Sequence, residues 1–133
     1  MAIGMDVIMS NHTFMMGGEV FLQSEGGPIG FEAAGAIARV LMIMWDTLYL
    51  EKVEAAGLLL YIYERFVDDS NQGLLVDEGD DIKEKVMELK AIADSILPGI
   101  KMEVDLPSNY DDGKLPILDM MVYMRDNFVV YEH

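Results

Sequence analysis

The longest apolar run of the chain, residues 31–56, restricts the fold more than any other feature. Its side chains are hydrophobic almost all the way round, which predicts a long helix that is buried on most sides. The glycine and proline cluster at residues 26–30 marks the start of this helix, and Gly57 marks its end. A chain that carries such a helix must provide other elements to cover it.

Three charged residues argue against this run crossing a membrane. Glu32, Arg39 and Asp46 interrupt its most apolar part, residues 31–50, whereas a membrane-spanning helix needs ~20 nearly uncharged residues. The amino terminus also lacks the basic region and the small-residue cleavage site of a signal peptide. We therefore expect a soluble, intracellular protein without a membrane partner.

Composition narrows the class of protein and the class of partner. The 133 residues suit a single domain, and a hydrophobic content of 52% argues against disorder. Nine Lys and Arg against 24 Asp and Glu give a formal net charge of −15, so this chain by itself should bind nucleic acid weakly or not at all. With no cysteine, disulfides and thiolate metal sites are excluded.

The remaining elements can be read from periodicity and turn residues. Residues 1–19 form a weakly patterned lead-in, and a hairpin turning at Gly17-Gly18 is expected within residues 13–23. The acidic run at residues 77–81 supplies an N-cap for an amphipathic helix that Pro98-Gly99 stops. Strands are predicted over residues 58–67, 73–76, 100–106, 117–124 and 128–131. This order favours an α+β domain spanning residues 1–133, with one antiparallel sheet and both helices on one face.

Two adjacent aspartates, Asp68 and Asp69, follow the apolar strand at residues 58–67 and fall in the predicted turn at residues 68–71. Like charges this close disfavour each other's ionisation, so a cation between them would explain the pair. Paired carboxylates suit Mg²⁺, which prefers oxygen ligands and can serve phosphoryl transfer. A solvated turn is the simpler explanation of an acidic doublet taken alone.

Three motifs in a fixed order surround this doublet. They are the segment QSEGGPIG at residues 23–30, the segment FVDD at residues 66–69 and the segment GKLPILD at residues 113–119. In this order they resemble the palm of reverse transcriptases, RNA-directed DNA polymerases, and especially those of non-retroviral retroelements. The resemblance covers roughly residues 13–125 and is more specific than any one motif.

The resemblance implies a polymerase palm with a ferredoxin-like arrangement and a set of site residues. Asp68 and Asp69 would be catalytic and would bind Mg²⁺, for which Mn²⁺ could substitute. Phe66 would back the primer terminus, and Lys101 or Lys114 would approach the triphosphate or the nucleic-acid backbone. The template and nucleotide side would be lined by Gln23, Gly26 and Gly30.

The sequence departs from the family pattern in two places. Residues 31–34 replace the small-residue Ser-Pro segment that follows the glutamine motif. The family's first catalytic aspartate lies several dozen residues before that motif, whereas Asp6 is the sole aspartate before Gln23. We therefore expect a fragment that lacks this aspartate, the fingers and the thumb.

Such a fragment would be inactive by itself. The parent nucleotidyltransferase would add deoxynucleotides to a DNA primer on an RNA template, and those partners would belong to the full-length protein. The alternative is a non-catalytic acidic domain that serves interaction or self-assembly, for example as a homodimer through apolar surface left exposed in an isolated palm.

Overall fold

The structure is a computed structural model that describes residues 12–23, 32–126 and 128–133. The chain divides into two compact units, Met1–Asp46 and Thr47–His133. Within the described residues it contains two α-helices and seven strands, and every strand pairing is antiparallel. The predicted α+β class is therefore confirmed.

The first unit contains the predicted amino-terminal hairpin. Strand β1 (Thr13–Met16) pairs with β2 (Glu19–Leu22) through the two-residue turn Gly17-Gly18. Both glycines have positive φ, 62° and 87°, a backbone conformation that side chains with a Cβ atom rarely adopt. All eight strand residues are exposed.

Helix α1 (Glu32–Ala55) begins in the first unit and ends in the second. Its buried residues, Trp45, Tyr49 and Val53, are four apart and form one stripe. The sequence predicted burial on most sides, and this is corrected, because Val40 and Ile43 are among several large apolar residues of α1 that remain exposed. Packing follows the neighbouring elements available to cover a face, which hydrophobicity alone does not reveal.

In the second unit, α1 leads into the hairpin of β3 (Leu59–Phe66) and β4 (Asp69–Leu75). Helix α2 (Ile82–Asp94) follows. Its predicted N-cap is confirmed as Asp81, whose carboxylate accepts the backbone N–H groups of Lys83 and Glu84. The helix ends at the Ser95 C-cap, before the Pro98-Gly99 stop that the sequence predicted.

The carboxyl-terminal part of the second unit forms a three-stranded sheet in the order β5-β6-β7. Strand β5 (Leu115–Ile117) and β6 (Met120–Arg125) are joined by the turn Leu118-Asp119, and β7 (Phe128–Glu132) pairs with β6. The predicted strand over residues 117–124 is thus divided by a turn. A short 3₁₀ helix (Pro107–Asn109) precedes this sheet.

The expectation of a single sheet is corrected, because the described strands form three separate sheets. The segment at residues 100–106, predicted as a strand, has no strand assignment. Asp94 at the end of α2 holds this segment instead, since its Oδ1 accepts the Met102 N–H at 2.8 Å and its carbonyl accepts the Lys101 ammonium at 3.0 Å. Without a central strand at this place, the β3–β4 hairpin and the carboxyl-terminal sheet are not joined into one ladder.

Candidate functional site

The two predicted catalytic aspartates lie at the tip of the β3–β4 hairpin. Phe66 pairs with Asp69, so the turn consists of Val67 and Asp68 alone. The sequence placed the turn at residues 68–71, and the structure corrects this by making Asp69 the first residue of β4. Apolar and aromatic residues at 59–63 favour the extended conformation that brings the chain to this tip.

The hairpin tip brings three of the predicted site residues together. Phe66, Asp68 and Asp69 are adjacent in the chain and all are exposed, the Phe66 ring by 62%. Arg65 donates from Nη1 to the Val67 carbonyl at 2.5 Å, which fixes the turn backbone. The two carboxylates therefore face solvent on a short, internally bonded loop.

Val67 has an unfavourable backbone conformation at this turn. Its φ is 56°, in the left-handed region that a β-branched residue rarely adopts. Two-residue hairpin turns require positive φ at their first position, so pairing of the strands imposes this angle. Residues held in such regions cost about 1–3 kcal/mol and cluster at functional sites.

The hairpin is anchored to α1 by Tyr49. Its hydroxyl donates to Oε1 of Gln72 on β4 at 2.7 Å, and its ring lies 5.8 Å from the ring of Tyr63 on β3. Burial raises the pKa of Tyr49 to about 12, an effect that the Gln72 hydrogen bond opposes. Tyr49 therefore remains a neutral hydrogen-bond donor at physiological pH.

A β-bulge lies in the middle of the same hairpin. Leu60 pairs with Leu74 and Ile62 with Gly73, so Tyr61 is the extra residue of β3. A Cβ atom at Gly73 would lie 2.5 Å from Cε1 of the Tyr61 ring, closer than the two groups can approach. The ring of Tyr61 thus occupies the space above Gly73, and a Cβ atom at this position would require the ring to move.

The hairpin tip offers two carboxylates to a metal ion, but not a complete set of ligands. Asp68 and Asp69 supply carboxylate oxygens, the donors that Mg²⁺ prefers. Within the described ranges, no group of three or more His, Cys, Asp or Glu side chains could hold a metal ion. A two-metal site would need at least one further carboxylate from outside the described residues.

Of the residues predicted to line the template and nucleotide side, one lies in the first unit and two lie outside the described residues. Gln23 follows β2 in the first unit, where its backbone N–H donates to the His12 carbonyl at 2.8 Å. Gly26 and Gly30 lie outside the described residues.

Both lysines proposed for triphosphate or backbone contact have partners within the fold. Lys101 donates to the Asp94 carbonyl. Lys114 forms an ion pair with Glu132 at 2.5 Å and lies 4.9 Å from the centre of the Tyr123 ring. These contacts give each ammonium group a structural role in the second unit.

The sequence did not indicate a cleft that lies beside β4. Ser70, Gln72 and Leu74 line it, together with residues of α2 and of the segment 102–106. Residues two apart in a strand project to the same side, so the spacing of Ser70 and Gln72 could have indicated that both face the cleft. The prediction from sequence missed this, because the predicted turn at residues 68–71 excluded Ser70 from the strand.

Comparisons with models of known protein families, with curated proteins and with solved structures found no match to this chain. A search of the described helices for one long and apolar enough to span a membrane also found none.

Proposed function

We propose that the chain is a palm fragment of a reverse transcriptase from a non-retroviral retroelement. The observation that carries this proposal is the aromatic-x-Asp-Asp segment at a hairpin tip, between the glutamine motif and the GKLPILD motif in the family's order.

In the parent enzyme, the primer hydroxyl would attack the α-phosphorus of a deoxynucleoside triphosphate and release pyrophosphate. Asp68 and Asp69 would hold Mg²⁺, which when bound supplies positive charge to the attacking and leaving oxygens. Phe66 would pack beneath the primer terminus. The chain alone would be inactive, because its described residues gather too few carboxylates for a two-metal site.

The first test measures metal binding by the chain as it stands. In ¹⁵N-labelled protein, Mn²⁺ should broaden the amide signals of Asp68 and Asp69 at lower concentrations than those of Asp111 and Asp112. The doublet Asp111-Asp112 is a matched control, because both of its side chains are exposed and neither belongs to one of the three motifs. Equal broadening at the two doublets would contradict the proposed site and favour the acidic interaction domain.

The second test measures catalysis in a longer polypeptide that includes the first catalytic aspartate of the family. Asp68→Asn should abolish Mg²⁺-dependent primer extension on an RNA template, because the metal loses a charged ligand. The variant Asp111→Asn/Asp112→Asn should retain it. Near-normal synthesis by Asp68→Asn would exclude Asp68 as a catalytic residue.

A further inference from the structure

The cleft beside β4 lies entirely in the second unit. It has a volume of about 140 Å³ and is bounded by β4, α2, the segment 102–106, Tyr49 of α1 and Leu115 of β5. An engineered apolar cavity of ~150 Å³ in another protein holds one benzene molecule. The cleft in this chain therefore has room for a single aromatic ring.

One end of the cleft is polar and has a directed series of hydrogen bonds. The Tyr49 hydroxyl donates to Gln72 Oε1 at 2.7 Å, and Gln72 Nε2 donates to Ser70 Oγ at 3.0 Å. The Ser70 oxygen thus accepts a hydrogen bond, and because a hydroxyl also donates, its own proton can be offered to a ligand. This end of the cleft presents a hydroxyl donor.

The cleft also has apolar lining residues. They come mainly from α2 and from the segments on either side of the 3₁₀ helix, and two of them, Leu89 and Ala93, belong to the buried core. A ring that fills this space would remove apolar surface from water, which favours binding by ~25 cal/mol for each Å² of apolar surface buried.

Charges around the cleft disfavour an anionic ligand. An anion would meet the carboxylates of Glu103 and Asp105. Lys90 is already neutralised by Asp94 at 2.6 Å, so it offers little to an anion. The ligand that fits these surroundings carries no negative charge.

From these contacts we propose that the cleft binds one aromatic ring that carries no negative charge and bears an acceptor for a hydrogen bond from the Ser70 hydroxyl. The acceptor lies at the β4 end, and the ring lies against Leu89 and Ala93. This inference is independent of the polymerase proposal, since it uses neither Asp68 nor Asp69.

The test compares two rings of nearly equal shape in NMR titrations of the ¹⁵N-labelled chain. Benzonitrile has an acceptor nitrogen, whereas phenylacetylene has a C–H group in its place. We expect shift changes clustered at Ser70, Leu74 and Leu89, and a benzonitrile affinity higher by about 2- to 10-fold, the value of one net hydrogen bond. Equal affinities, absence of binding by both rings or shift changes away from the cleft would overturn the proposal.

Three variants test the assigned contacts. Ser70→Ala should equalise the two affinities, whereas Ser108→Ala in the 3₁₀ helix should leave the preference for benzonitrile unchanged. Val104→Phe fills the cleft from an exposed position and should abolish binding of both rings while the chain remains folded. Retained preference in Ser70→Ala, or unchanged binding in Val104→Phe, would overturn the proposal.

Discussion

Val67 stores backbone strain at the hairpin tip, where its φ is 56° and its side chain is 69% exposed. Asparagine tolerates this left-handed conformation, and little buried surface would be lost on replacement. Val67→Asn should therefore raise the free energy of unfolding by about 0.5–1 kcal/mol, as measured by urea denaturation. The control is Val76→Asn, because Val76 is also exposed but does not have a positive φ. This substitution should not raise the free energy of unfolding. A loss of stability in Val67→Asn would show that the turn is unstrained.

At the β-bulge, the Tyr61 ring fills the space that a side chain at residue 73 would need. A Cβ atom on Gly73 would lie 2.5 Å from this ring. Gly73→Ala should destabilise the fold by about 1–3 kcal/mol, because the ring must move. In a Tyr61→Ala background the same substitution should be neutral or stabilising, since alanine suits a strand better than glycine. A double-mutant cycle in urea measures this change of sign. Equal costs in both backgrounds would mean that the ring does not set the requirement for glycine.

At the scale of elements, Asp94 joins α2 to the segment at residues 100–106. Its carboxylate accepts the Lys90 ammonium at 2.6 Å and the Met102 N–H at 2.8 Å, and these bonds lower the pKa of Asp94 below its ordinary value of 3.8. A lowered folded-state pKa means that the carboxylate stabilises the fold above the unfolded-state value. That contribution disappears as the pH falls through the folded-state value.

Asp94→Asn should accordingly lower the urea midpoint at pH 7, while the variant and the parent should converge as the pH falls below about 4. Asparagine keeps an acceptor for Met102 but loses the charge that pairs with Lys90. The control Asp119→Asn, at an exposed aspartate of the β5–β6 turn, should leave the midpoint unchanged at pH 7. A gap between Asp94→Asn and the parent that persists at acid pH would contradict the ionic explanation.

At the scale of the whole molecule, the net charge of −15 opposes folding through repulsion among the excess carboxylates. Raising NaCl from about 10 mM to about 500 mM shortens the screening length from ~30 Å to a few Å, so the urea midpoint should rise. Asp111→Asn/Asp112→Asn has two fewer negative charges and should show a smaller rise. A midpoint that falls with salt would mean that the ion pairs outweigh the repulsion.

Sequence reasoning was most successful where structure depends on neighbouring residues. The Gly17-Gly18 turn, the Asp81 cap and the existence of the β3–β4 hairpin followed from local chemistry, and each is confirmed. The bounds of β4 and the division of residues 117–124 by a turn were missed. In both places the turn uses a residue other than glycine with positive φ, Val67 or Leu118, and strand pairing imposes that angle against residue preference.

The sequence by itself determined the α+β class, the presence of two helices and the position of the aspartate doublet at a hairpin tip. Tertiary structure decided that the strands form three sheets, that residues 100–106 bind to α2 through Asp94, and that Ser70 and Gln72 face a cleft. The physical reason is that turns and caps are set by bonds between near neighbours, whereas strand pairing and burial depend on competition among distant segments.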